Sequence, residues 1–202
     1  MARAQATARL FVAVDPPAEV CEQLAAWAKV AVRSLGLRKG SVGPVRVLDP
    51  ELLHVTLCFL GERPVGEIEA IAGALAECAR VVGRLEIGAP LWLPPRRPRA
   101  LAVEVRDEDG VDPGESLAML QGALCGALAR ACGYREERRR FRAHVTLARL
   151  REDRRRGSGV GSELPATPAL SFTPGAAILY RSWLSPAGAS YEALAECTLV
   201  PS

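Results

Sequence analysis

The sequence is poor in the residues that build metal sites. Its 202 residues include only two histidines, and its six cysteines form no Cys-x-x-Cys pair. A zinc site would need ligands from widely separated positions, so we expect no metal and no other cofactor. Several cysteines fall in apolar periodic stretches, which is typical of small core residues in a reducing compartment.

Long apolar runs are also missing. None approaches the ~18 residues needed to cross a bilayer, and the run from Leu10 to Val14 is too short for the centre of a secretion signal. We therefore expect a cytoplasmic protein without a membrane partner. The composition, 49% apolar and 24% charged, is that of a folded globular chain. We expect a single domain over residues 1–202 and a monomer.

Positive charge is unevenly distributed. The whole chain carries a net charge of +3, whereas residues 130–156 contain eleven arginines and four acidic residues, a local net charge of +7. A local basic field fits an anionic partner such as RNA. The abundance of arginine, alanine and glycine also fits the codon bias of a GC-rich genome. The basic segment alone therefore leaves RNA binding and a solvated surface open.

The apolar pattern repeats the order strand, helix, strand in the two halves of the chain. It predicts strands at 9–14, 54–60 (ended by Gly61), 100–105, 144–150, about 176–184 and 191–200, and helices from Pro16 to Gly36, over 67–82 and around 117–128. Turn-rich connections are expected at 107–114 and 151–168. This order predicts an α+β fold of two pseudo-symmetric lobes, each an antiparallel sheet with helices, around a central cleft. The lobes correspond to about 1–90 and 91–202 and are interleaved.

Both histidines begin the same tetrapeptide, His-Val-Thr-Leu, at 54–57 and 144–147. Side chains alternate between the faces of a strand, so His54 shares a face with Thr56, and His144 with Thr146. Two such strands would direct two imidazoles and two hydroxyls into the cleft. By the same alternation, Arg149 falls on the opposite face.

This set of side chains suits phosphoryl chemistry. Histidine, with an ordinary pKa of ~6.5, gives or takes a proton near neutral pH, so two histidines can act on opposite sides of a phosphorus. Threonine hydroxyls can donate hydrogen bonds to phosphate oxygens. Two partly buried structural histidines are the alternative, but that alternative does not explain the repeated motif.

The sequence resembles the 2H phosphoesterases and, among them, the bacterial and archaeal RNA 2′,3′-cyclic phosphodiesterases, also called 2′-5′ RNA ligases. The resemblance rests on Arg9–Asp15 with Pro17, on His54–Gly61, on Phe141–Arg149, and on Leu179–Leu184 with Gly188 and Tyr191. It implies hydrolysis of RNA 2′,3′-cyclic phosphate ends to a 2′-phosphate, with reversible 2′-5′ ligation as a further expectation. It also implies that His54 is the proton donor and His144 the proton acceptor, while Thr56 and Thr146 hold the phosphate.

Two further residues are candidates for substrate binding. Arg149 could contact the phosphate, and Phe11 could stack on a base, although core packing is the alternative for Phe11. Two other functions remain open: a phosphodiesterase acting on small cyclic nucleotides, and a non-catalytic protein that binds RNA ends. Binding alone does not need two titrating imidazoles, which favours an enzyme.

Overall fold

The computed structural model describes residues 6–34, 45–78, 81–108, 115–137, 139–150, 164–186 and 188–201. Within these ranges the strands are β1 (Thr7–Val14), β2 (Val45–Val47), β3 (Val55–Pro64), β4 (Val81–Val82), β5 (Leu85–Leu93), β6 (Ala100–Asp107), β7 (His144–Leu150), β8 (Ser171–Phe172), β9 (Ala176–Ser185), β10 (Gly188–Thr198) and β11 (Val200–Pro201). The α-helices are α1 (Ala18–Ser34), α2 (Ile68–Ala76) and α3 (Glu115–Cys132), and short 3₁₀ turns cover Pro50–Leu52 and Val65–Glu67.

Nine strands form one curled antiparallel sheet whose centre carries both histidine motifs. The strand order is β10-β9-β1-β3-β7-β6-β5-β8, and β2 pairs with β7. The two halves meet at β3 and β7, where Val55 lies opposite Val145. The predicted α+β class with two antiparallel halves is confirmed. The halves join into a single sheet, and β9 and β10 extend the first half beside β1.

Strand register shows the pseudo-symmetry directly. In each half, the strand that precedes a helix pairs with the motif strand through two valines. Val14 of β1 pairs with Val55 of β3, and Val103 of β6 pairs with Val145 of β7. In both halves the register then skips the leucine of the motif, Leu57 or Leu147, which forms a β-bulge. The same irregularity at the same motif position indicates that the halves share one local architecture.

Each half is completed by a helix from the other half. Helix α1 follows β1 but packs against β2 and β7, whereas α3 follows β6 and packs against β3. Leu24 of α1 and Leu124 of α3 have no exposed surface, and burial of each such side chain stabilises the fold by roughly 1.5–3 kcal/mol. This exchange of helices fixes the two motif strands relative to one another.

Two predicted element boundaries were wrong. The helix predicted over 67–82 ends at Ala76, because Val82 instead lies in β4, which pairs in parallel with β11. The strand predicted to end at Gly61 continues to Pro64. Gly61 has φ +70° beside a second register shift, so it bends the strand without ending it.

Some expectations fall outside the described residues. These are the end of the first predicted helix beyond Ser34, most of the connection at 107–114, and 151–163 of the predicted linker. In the part of the chain that the structure describes, no helix is long and apolar enough to cross a membrane.

Candidate active site

Both motif histidines are held by the carbonyl group two residues earlier in the chain. His54 Nδ1 lies 2.9 Å from the Leu52 oxygen, and His144 Nδ1 lies 2.8 Å from the Arg142 oxygen. A carbonyl oxygen only accepts hydrogen bonds, so Nδ1 carries the hydrogen in each ring. The Nε2 atom is therefore the one available to exchange a proton with a substrate.

The pairing of β3 with β7 brings the two motifs together. Val55 and Val145 are fully buried and face each other, so their neighbours lie on the cleft side of the strands. Because the strands are antiparallel, this register places His54 opposite Thr146 and Thr56 opposite His144. Two imidazoles and two hydroxyls thus surround one small volume.

A cavity of about 540 Å³ opens beside this group. Thr56, His144, Thr146 and Arg149 contribute to its wall, whereas His54 is not among the described residues that line it. The remaining wall includes the arginines Arg99, Arg139, Arg140 and Arg142, the aromatic residues Phe59, Tyr134 and Phe141, and Gln121, Glu136 and Glu137. A volume of this size suits a ligand as large as a nucleotide, and the arginines make the wall suited to phosphate.

His54 is packed among aromatic rings. Its centroid lies 4.9 Å from that of Phe11 and 5.3 Å, edge to face, from that of Tyr191. Phe11 and Tyr191 are in turn 5.0 Å apart, and Tyr180 stacks 5.2 Å from Phe11 and donates its hydroxyl to Asp15. We call Phe11, Tyr180 and Tyr191 the aromatic cage.

The aromatic cage removes water from His54 and changes its proton affinity. Burial, together with the positive charges of Arg149 and His144, lowers the pKa of His54 from 6.5 to about 4, although the bond to Leu52 opposes this change. The imidazole of His54 is therefore neutral at pH 7. The position in β6 that corresponds to Phe11 is Ala100, so the two histidines have different surroundings.

Among the predicted substrate-binding residues, Arg149 and Phe11 lie on different sides of the site. Arg149 is part of the cavity wall, and its predicted position on the opposite face of the strand is wrong. The bulge at Leu147 adds one residue and returns Arg149 to the face of His144. Phe11 is only 4% exposed and supports the ring of His54 from behind.

Phe59 was missed because strict alternation places it on the buried face. The bulge at Leu57 turns Phe59 toward the cavity, in the position that Arg149 has in β7. Its ring is 39% exposed, and the Arg9 guanidinium lies 4.7 Å above it. Gln121, Tyr134 and Glu136 were also missed, since they belong to a helix and a loop that the motifs do not mark.

The doubled motif at the centre of a pseudo-symmetric antiparallel sheet defines a 2H phosphoesterase. The family model of the 2′-5′ RNA ligase superfamily matches residues 16–182, and the chain belongs to that superfamily.

Individual relatives agree with this assignment. The RNA 2′,3′-cyclic phosphodiesterase of Archaeoglobus fulgidus is 30% identical over 144 residues, which are 71% of this chain and 73% of the relative. The crystal structure of TT0787 of Thermus thermophilus has a TM-score of 0.71 at 25% identity and covers 96% of this chain and 99% of that one. E. coli LigT complexed with 3′-AMP has the same fold, with a TM-score of 0.74, 24% identity and coverage of 96% and 99%.

Proposed function

We propose that the protein hydrolyses the 2′,3′-cyclic phosphodiester at an RNA end to a 2′-phosphomonoester. The observation that carries the proposal is the pair of adjacent motif strands, each with a histidine whose Nε2 is left for proton exchange. The name and 30% identity of the archaeal relative support the choice of a cyclic phosphodiester.

Residues around the cleft can perform both proton transfers that the hydrolysis requires. Water attacks the phosphorus while His144 Nε2 takes its proton, and the bond from phosphorus to O3′ breaks while His54 Nε2 gives a proton to O3′. The hydroxyls of Thr56 and Thr146 donate to the non-bridging oxygens, and Arg149 offsets their negative charge. A 5′-hydroxyl in the place of water would give a 2′-5′ linkage by the same proton transfers.

The donor role of His54 sets one condition on the substrate. With a pKa of about 4, His54 carries no proton at neutral pH unless a neighbouring charge favours the imidazolium form. The phosphate monoanion beside Nε2 supplies that charge and raises the pKa. Substrate binding therefore favours the protonated form of His54, which can then act as the acid.

RNA is the substrate class that the cavity wall favours over small cyclic nucleotides. Arg139, Arg140 and Arg142 line the same cavity as His144, and Arg142 is anchored by Glu104 at 2.9 Å. A cyclic mononucleotide has a single phosphate, whereas this row of guanidinium groups can follow a chain of phosphates.

The test is to incubate the protein, in buffer with EDTA, with an oligonucleotide ending in a 2′,3′-cyclic phosphate and to identify the product. We expect the 2′-phosphate, because His54 protonates O3′. A 3′-phosphate product would contradict the assigned leaving group. Binding without turnover would favour the non-catalytic RNA-binding protein, and hydrolysis of 2′,3′-cyclic mononucleotides alone would favour the small-molecule phosphodiesterase.

A further inference from the structure

The wall of the cavity contains a buried polar side chain that the proposed reaction does not use. Gln121, on α3, is only 7% exposed and lines the same cavity as His144 and Thr146. Tyr134 and Glu136, which follow the end of α3, lie beside it in the wall. A buried amide at the edge of a ligand cavity needs partners for all its polar atoms.

Hydrogen bonds fix the orientation of this amide. Gln121 Nε2 lies 3.2 Å from Glu136 Oε1 and 3.0 Å from the Cys125 sulfur, which is 3.5 Å from the Cys58 sulfur. A carboxylate only accepts hydrogen bonds, so the nitrogen of the amide must face Glu136. Both of its hydrogens are then used, and the carbonyl oxygen is left as an acceptor.

That carbonyl oxygen belongs to a side chain that lines the cavity, and the hydrogen bonds of Gln121 use only its nitrogen. In the described part of the chain, Arg106 Nε is the single fully enclosed side-chain nitrogen or oxygen without a partner. The Gln121 oxygen is not among these enclosed atoms. Glu136 also lines the cavity and has a second carboxylate oxygen. These two hydrogen-bonded side chains therefore offer acceptors, while both amide hydrogens of Gln121 are already used.

We propose that Gln121 and Glu136 bind the guanine base of the nucleotide that carries the cyclic phosphate. Guanine alone among the four RNA bases has two adjacent donors, N1–H and the N2 amino group, on its pairing edge. Adenine and cytosine place an acceptor beside their amino group, and uracil has one N–H between two acceptors. Tyr134 supplies an aromatic wall next to the base. This inference rests on the proposed function for the position of the phosphate.

The experiment measures both turnover and binding. The 2′,3′-cyclic phosphates of guanosine, adenosine, cytidine and uridine are compared by kcat/KM, and the four nucleoside 2′-monophosphates by calorimetric Kd. We expect a preference for guanine of about tenfold or more in both, the scale of one good bidentate contact to a base. Glu136→Gln should abolish the preference, because an amide hydrogen would replace an acceptor.

Glu108→Gln is the matched control, because it removes an equal charge at a residue that pairs with Arg84 and does not line the cavity. It should keep the ratio of guanine to adenine binding. Gln121→Met gives a second, near-isosteric variant, and its thermal unfolding reports whether α3 has kept its packing. Equal Kd values for the four 2′-monophosphates, or a preference unchanged in Glu136→Gln, would overturn the guanine site. Preferential binding of 2′-GMP without any turnover would leave the site standing and remove the proposed reaction.

Discussion

His54 and His144 have the same motif and the same kind of backbone hydrogen bond, yet their side chains have different surroundings. The difference comes from their neighbours: Phe11 and Tyr191 pack on His54, whereas β6 places Ala100 at the position equivalent to Phe11. A symmetric pair of histidines could exchange the roles of acid and base. Unequal surroundings favour one assignment over the other.

Replacing either histidine with alanine should lower kcat/KM on an oligonucleotide 2′,3′-cyclic phosphate by about 100-fold or more, the usual loss when a general acid or base is removed. In the proposed mechanism, each substitution removes the group that exchanges a proton at one side of the phosphorus. The unfolding transition, followed by circular dichroism, controls for lost structure. Near-normal rates in both folded variants would refute the two-histidine mechanism.

The proton affinity of His54 should depend on the aromatic cage. NMR titration of the two histidine ring signals, assigned with the His144→Ala variant, should give a pKa of about 4 for His54. Tyr191→Leu admits water to the ring and should move this pKa upward, toward the ordinary 6.5. Inorganic phosphate should also move it upward, because a negative charge at Nε2 stabilises the imidazolium.

Trp183→Leu is the control for this titration, since Trp183 lies on the same hairpin as Tyr191 but is exposed and stacks with Arg181. It should leave the pKa of His54 unchanged. A His54 pKa that stays near 4 with phosphate bound would rule out His54 as the proton donor at neutral pH and would reverse the two roles.

At the scale of elements, the periodicity of apolar residues correctly predicted the regular helices and strands. The leucine stripe of α3 and the His-Val-Thr-Leu strands needed no tertiary information, because their patterns repeat locally. Arg149 was placed on the wrong face and Phe59 was missed, because a bulge depends on the partner strand, which the local pattern does not contain. Strand β5 was missed for a related reason: its Gly-Ala-Pro sequence lacks alternation and is stabilised by pairing with β6.

Two glycine substitutions should have opposite effects on stability. Gly61 has φ +70° in the bulge between β1 and β3, so Gly61→Ala should lower the free energy of unfolding by about 1–2 kcal/mol. Gly122 lies within α3, where an added methyl group would meet no atom within 4 Å, so Gly122→Ala should raise it by about 0.8–1 kcal/mol. Urea unfolding measures both. A neutral Gly61→Ala would show that the bulge does not require the left-handed conformation.

Over the whole molecule, two features shape the cleft: the exchange of helices between the halves and the uneven distribution of positive charge. Helices α1 and α3 each cross to the opposite half, which holds β3 and β7 side by side as the base of the cavity. The basic segment predicted from sequence contributes Arg139, Arg140, Arg142 and Arg149 to the same cavity. Arg154, Arg155 and Arg156 lie outside the described residues.

If these arginines contact the RNA backbone, binding of a long RNA should weaken steeply with salt. Each phosphate neutralised on a single strand contributes about −0.7 to the slope of log K against log salt. Replacing Arg139 and Arg140 together with glutamine should therefore reduce the slope by about 1.4, if each contacts one phosphate. A dinucleotide cyclic phosphate should show a much smaller slope, because it presents few phosphates beyond the reacting one.

The matched control replaces Arg130 and Arg135 with glutamine, since they come from the same basic segment and do not line the cavity, and Arg130 lies 3.8 Å from Glu77 on the surface. It removes the same net charge and should leave the slope nearly unchanged. Fluorescence anisotropy with a labelled RNA ending in a 2′-phosphate measures all three proteins. Equal slopes for the long RNA and the dinucleotide would assign the arginines to a solvated surface. An equal decrease of the slope in both double variants would mean that net charge, rather than the cavity wall, attracts the RNA.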